Sequence, residues 1–144
     1  MDRIDKILNH DLFLYHLGKN NAAEADRRFC RHGMVHFLDV ARIGTIIALE
    51  EGLKIDREWI YAAALLHDCG KHEQYENGIP HEQASARIAP EILKACGFND
   101  EETGVIVTAI SRHRDPEAAK EKNLNGILYP VSYTHLTLPT KLEV

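Results

Sequence analysis

Two His-Asp pairs stand in the 144-residue sequence, at His10-Asp11 and His67-Asp68. An imidazole beside a carboxylate can hold a cation or move a proton, and context separates the two pairs. The one at 67 and 68 closes the apolar run Tyr61-Ala-Ala-Ala-Leu-Leu66 and is followed by Cys69-Gly70-Lys71. Such a run drives both side chains into the core, where a carboxylate needs a cation or hydrogen bonds in compensation. His10-Asp11 lies on a surface-type stretch beside Asn9, without a companion polar cluster, and is read as accidental.

A metal site draws ligands from several elements, so the remaining histidines are the test. His36 heads the run His36-Phe-Leu-Asp-Val-Ala-Arg42, His81 follows Pro80, and His113 stands between Arg112 and Arg114. A lone buried histidine is more often a hydrogen-bonded core residue, but His36, His67, Asp68, His81 and His113 in one ordered series favour ligation. Ligation by imidazoles with one or two carboxylates suits Mn, Fe, Co, Ni or Zn better than an oxygen-only site, with Mg a further candidate. Lys71 and Arg114, and more weakly Arg112, are candidates for holding phosphate, since Arg offers a planar fork and Lys a point charge. His32, one turn before His36, has packing or solvent as its reading. His10, His16 and His72 are expected at the surface. Met34, Phe29, Phe37 and Trp59 are read as core.

Helices must position these residues. Ile4, Ile7, Leu8, Leu12 and Tyr15 recur at three- and four-residue spacing and predict a first helix that stops at Gly18. A second starts near Ala22, with an interruption at His32-Gly33. Phe37, Val40, Ala41, Gly44, Ile47 and Ala48 predict a helix to about Glu50, with Gly52 as its cap. Asp56 reads as the N-cap of the helix that ends near Gly70. Residues 73–79 read as a loop, Pro80 opens the next helix and Gly97 closes it. Asn99 opens another to about Arg114, a short helix runs from Pro116 to Lys122, and Asn125-Gly126 is a turn. No two-residue alternation argues for a sheet.

The formal charge of −5 and pI near 6.0 provide no basic field, so polymeric nucleic acid is not an expected partner. Cys30, Cys69 and Cys96 form no Cys-x-x-Cys pair and read as reduced thiols. The N-terminus has no apolar leader, and the longest apolar runs fall far short of the roughly 18 residues of a membrane span. A cytoplasmic protein without membrane attachment is expected, of undetermined oligomeric state.

His36 with Val40-Ala41, Ala64-Leu-Leu-His-Asp-Cys-Gly-Lys71, His81 and His113 together resemble the HD superfamily of metal-dependent phosphohydrolases, over residues 30–130. The resemblance implies an all-α bundle of about five to seven helices around one or two divalent metals. It implies His36, His67 and Asp68 as ligands of the first metal, Asp68 as a bridge, and His81 and His113 as ligands of a second or as groups facing substrate phosphate. The catalytic set is then Asp68, His67 and Lys71, acting on a nucleotide or similar small phosphorylated molecule. A symmetrical dinucleoside-polyphosphate hydrolase with two irons, and a regulatory module without turnover, are the alternatives.

One departure from the family pattern concerns the C-terminal end. The family closes with an Asp on its final core helix, where this sequence reads Tyr129-Pro130-Val131-Ser132, and neither Asp115 nor Glu143 substitutes by position. Residues 131–144 lack a helical period and resemble a translated sequencing adapter, so a single domain over 1–130 followed by a non-native tail is the expectation.

Overall fold

A computed structural model describes residues 1–24 and 33–134 of the chain. Among these residues every regular element is helical. The elements are α1 (Asp2–Leu8), α2 (Asp11–Ala23), α3 (Met34–Glu50), α4 (Arg57–Leu66), α5 (Lys71–Asn77), α6 (His81–Ala95), α7 (Asp100–Ser111), a 3-10 helix (Pro116–Lys120) and α8 (Leu124–Thr134). The expected helical bundle is the fold found.

Local chemistry sets most boundaries. The Asp56 carboxylate accepts from the Glu58 amide and opens α4. Asn99 and Glu102 form a reciprocal capping box on α7. Gly78 and Gly97, at φ of +71° and +97°, turn the chain after α5 and α6 in a region where other residues are strained.

Several expectations are corrected. The first periodic segment is two helices, because His10 Nδ1 accepts from the Leu12 amide and starts α2 afresh. Gly18 does not stop α2, which continues to Ala23. Residues 71–77 form α5 rather than a loop, since only Gly78-Ile79-Pro80 interrupts an otherwise helix-tolerant stretch. Asn125-Gly126 lies in the first turn of α8, where a Cβ on Gly126 would fall 1.8 Å from the Glu121 carbonyl oxygen. The helix after Pro116 is of the 3-10 type and ends at Lys120. Helix α8 runs to Thr134 and Val131 is buried in the core, which does not bear on the domain boundary expected at 130/131 or on the origin of the tail. The expected break at His32 and the residues Phe29, Cys30, His135 and Glu143 lie outside the described residues.

The core is built around α4. Ile60 and every residue from Ala62 to Leu66 are buried, as a helix surrounded by neighbours requires. It packs against α3 and α7, and also meets α1, α6 and α8. The three consecutive alanines leave room for close approach on every side, and Phe37, Ile92, Leu93, Ile106 and Ile110 fill the space between helices. Among the described residues no helix is long and apolar enough to cross a membrane.

Because α5 is a helix, it packs on α2 and turns His72 inward. His16 shares the inner stripe of α2 with Phe13 and Asn20, at three- and four-residue spacing. His16 and His72, two of the three histidines expected at the surface, are therefore buried, with His16 Nδ1 2.8 Å from His72 Nε2.

Candidate metal centre

The chain end of α4 delivers His67 and Asp68, and the chain end of α7 delivers His113. His36 comes from the first turn of α3, and His81 is the first residue of α6. These five side chains, predicted from sequence, meet in one buried cluster at the middle of the bundle.

Asp68 divides the cluster. Its Oδ2 lies 3.4 Å from His36 Nε2 and 3.3 Å from His67 Nε2, and its Oδ1 lies 3.4 Å from His81 Nε2 and 3.5 Å from His113 Nε2. His81 and His113 approach each other at 3.0 Å between Nε2 atoms. The carboxylate thus joins two triads that could each hold a metal ion, one with His36 and His67 and one with His81 and His113.

The outer nitrogens reveal which way the inner ones face. His67 Nδ1 is 2.6 Å from the Ala64 carbonyl oxygen, and His113 Nδ1 is 2.6 Å from that of Ile110. Each is a carbonyl three residues back, in the last turn, where helices leave acceptors unsatisfied. A carbonyl only accepts, so both rings hold their hydrogen on Nδ1 and turn a lone pair inward on Nε2. His81 Nδ1 meets Gln74 Oε1 at 2.8 Å, with the same result.

Three imidazole lone pairs and a carboxylate then converge without a hydrogen between them. His67 Nε2 is fully buried and makes no hydrogen bond among the described residues. The chemistry of this donor set fits one or two divalent transition ions, which would replace repulsion between lone pairs by coordination.

Burial alone would raise the Asp68 carboxyl, but the imidazoles of His67, His113 and His36 around it hold it well below the usual carboxylate range. Burial lowers His81 to about 3, with Lys71, His113 and Arg114 acting in the same direction and Asp68 opposing them. His81 is therefore neutral and able to offer its lone pair at ordinary pH. Burial pushes the Cys69 thiol up to about 12, so this neighbour of Asp68 is a packed thiol and not a thiolate ligand.

A supporting shell holds the turn from Asp68 to Lys71. Asn20 donates from Nδ2 to the Asp68 carbonyl at 2.9 Å, and its Oδ1 accepts from the His72 amide at 2.8 Å. On the opposite side the Gly70 amide donates to Ser85 Oγ at 2.9 Å. Gly70 admits this approach because a Cβ there would lie 2.7 Å from both the Ala84 Cβ and the Ser85 nitrogen. Asn20, Gln74 and Ser85 were not read from the sequence. The available signal was Asn20 itself, a polar residue on the inner stripe of α2.

Of the phosphate candidates, Lys71 is buried with Nζ 3.5 Å from His81 Nδ1. Arg114 lines a cleft of about 420 Å³ with Gln74, Gly78, Pro80, Glu82 and the buried His81. Arg112 is instead paired with Asp115 and Glu121. Asp115 caps the 3-10 helix and is no ligand. The segment of α8, Leu-Asn-Gly-Ile-Leu-Tyr-Pro-Val-Ser-Tyr-Thr, carries no acid to complete the centre. His32 lies outside the described residues.

Comparison with known proteins points the same way. The family model described as HD domain matches residues 33–137. A protein of Clostridium beijerinckii, described as an uncharacterized protein, is 47% identical over 129 residues, covering 90% of this chain and 80% of that protein. No solved structure gives a significant match.

Proposed function

The chain belongs to the HD domain family, and from that premise we propose that it is a metal-dependent phosphohydrolase that uses water to cleave a phosphoester or phosphoanhydride. The substrate is a nucleotide or another small phosphorylated metabolite. The observation that carries this reading is the convergence of four imidazole Nε2 atoms, in two pairs, on the two oxygens of one buried carboxylate.

In this reading His36, His67 and Asp68 would hold one cation, and Asp68, His81 and His113 would hold a second. When bound, such ions polarise phosphoryl oxygens and acidify water towards neutral pH. The chain's own part is to fix the ligands before substrate arrives. Asp68 keeps its negative charge between the two positions, and the apolar wall of α4 excludes bulk water. Lys71 supplies a buried positive charge beside His81. Arg114 stands where a phosphorylated molecule enters the cleft, and its guanidinium can grip phosphate oxygens in a planar fork.

Metal analysis of the purified protein, followed by phosphate release from a nucleotide panel with Mn²⁺, tests the proposal. Asp68→Ala should reduce release to background. Equal turnover by the two proteins would overturn the catalytic assignment.

The second triad also favours a narrower reading, a two-iron hydrolase of dinucleoside polyphosphates, for which two bound irons and symmetrical cleavage are the signature. If the residues from 131 onward are the protein's own, the lack of an acid on α8 favours a regulatory module, for which metal uptake without phosphate release is the signature.

A further inference from the structure

His81 differs from the two histidines at helix chain ends in how its outer nitrogen is held. His67 and His113 use backbone carbonyls, which no substitution removes. His81 begins α6, and a helix start offers free amides and no free carbonyls. Its acceptor must come from a side chain, and Gln74 of α5 provides it.

Gln74 Oε1 lies 3.0 Å from the His81 backbone nitrogen and 2.8 Å from His81 Nδ1. The backbone N–H can only donate, which identifies the facing Gln74 atom as oxygen rather than nitrogen. An amide oxygen has no hydrogen to give, so His81 Nδ1 carries one and Nε2 presents its lone pair to Asp68 and His113. A competitor stands nearby. Lys71 Nζ is 3.5 Å from the same Nδ1, and an ammonium only donates. If Lys71 took that nitrogen, the ring hydrogen would move to Nε2, and N–H would point at His113 Nε2 or Asp68 Oδ1. The pair would then satisfy itself by a hydrogen bond and offer one ligand fewer. The Glu82 carboxylate, 3.9 Å from Nδ1, lies beyond hydrogen-bonding reach.

We propose that Gln74 is a positioning residue that selects the Nδ1–H tautomer of His81 against Lys71, and so sets the affinity of the cation position formed by Asp68, His81 and His113. The inference rests on the metal-centre reading above.

The test uses the full chain as wild type, Gln74→Leu and Gln74→Glu, titrated calorimetrically with Mn²⁺. Nitrogen NMR of labelled histidine in EDTA reports each ring's tautomer. Wild type should bind two ions and show His81 with its hydrogen on Nδ1. Gln74→Leu should weaken one of the two sites by about 10- to 100-fold, leave the other unchanged, and move the His81 hydrogen to Nε2. Gln74→Glu, which keeps an acceptor, should restore both. Two sites of unaltered affinity in Gln74→Leu, or an unaltered His81 tautomer, would overturn the role of Gln74. Fewer than two ions in wild type would overturn the two-cation reading, and this inference with it.

Discussion

The Nε2 atoms of His81 and His113 stand 3.0 Å apart, and each ring has its hydrogen on the other nitrogen, facing Gln74 Oε1 and the Ile110 carbonyl respectively. Two lone pairs held at hydrogen-bonding distance beside the Asp68 carboxylate repel one another.

A cation placed there should therefore stabilise the fold as well as complete a site. With Mn²⁺ at about a hundred times its dissociation constant, mass action contributes about 2.7 kcal/mol. For a chain of this size that raises Tm by roughly 5 to 10 °C relative to EDTA. Calorimetric scans in the two buffers check it, and coincident transitions would sink the idea.

The two oxygens of Asp68 serve different histidines, so substitutions should divide the metal content. His36→Ala and His113→Ala each leave one intact carboxylate–imidazole pairing on the opposite oxygen, whereas Asp68→Ala removes the shared ligand. Metal analysis after dialysis should return about one ion for each histidine variant, two for wild type and none for Asp68→Ala. Equal content in all four proteins would rule out a shared carboxylate.

Much of this centre could be read from the sequence because its ligands sit at helix ends, where Gly, Pro and Asn mark the boundaries. Asp56 and Asn99 cap as their types demand, and His67-Asp68 follows an apolar helix that can only be central. What escaped was long-range and polar. Gln74 and Asn20 reach ligands seven and forty-eight residues away through single amides, and no periodicity encodes such bonds. His72 was misplaced because α5 is short and polar on its outer face, and only its packing on α2 shows which side is buried. The two-helix start was hidden for a related reason: the apolar spacing runs unbroken through His10, while the break is made by one ring nitrogen.

Acid should weaken the metal-free fold in a definite window. His81 has a folded pKa of about 3 against an unfolded value near 6.5. Between those values the unfolded chain binds a proton that the native chain refuses, so stability falls as pH drops from about 6.5 towards 3. His16, lowered by burial and by His72, acts in the same sense. Asp68, held below its ordinary value, adds a loss only at lower pH, as its carboxylate is finally protonated. At pH 5 the His81 contribution is on the order of 2 kcal/mol. Urea midpoints in EDTA should be lower at pH 5 than at pH 7, and equal midpoints would contradict the buried neutral imidazole.

Gly70 allows α6 to touch the turn that carries Asp68. Its virtual Cβ meets backbone as well as the Ala84 methyl, at 2.7 Å, so neither neighbour can swing aside. Gly70→Ala should cost about 1 to 3 kcal/mol from overpacking. It should also lengthen the Gly70 to Ser85 bond and lower metal affinity. Gly104, where an added Cβ meets nothing within 4 Å, provides the control. Because Gly104 lies within α7, Gly104→Ala should be neutral or stabilising. Urea unfolding of both variants distinguishes close approach from a general intolerance of alanine.

Asn20 makes the most specific demand on the fold outside the ligands. It is fully buried on α2, and its one amide group spans the turn by donating to the Asp68 carbonyl and accepting from the His72 amide. The Asp68 carbonyl also accepts from Lys71 N–H at 3.0 Å, so it retains a partner when Asn20 is truncated. The His72 amide, in the first turn of α5, is one of the donors that a helix leaves without an intrahelical partner, and Asn20 Oδ1 is its acceptor. Asn20→Ala therefore strands one buried donor, and the expected loss is about 1 to 3 kcal/mol. Asn20→Asp keeps the acceptor for His72 but puts a carboxylate oxygen against the Asp68 carbonyl and adds charge beside an existing anion. It should be less stable than Asn20→Ala, although it is closer in shape to the native residue. Urea unfolding in EDTA gives the order wild type, then alanine, then aspartate, and aspartate above alanine would show that volume rather than the donated bond matters. With Mn²⁺ added, Asn20→Ala should gain less stability than wild type, because the loosened turn also carries the shared carboxylate.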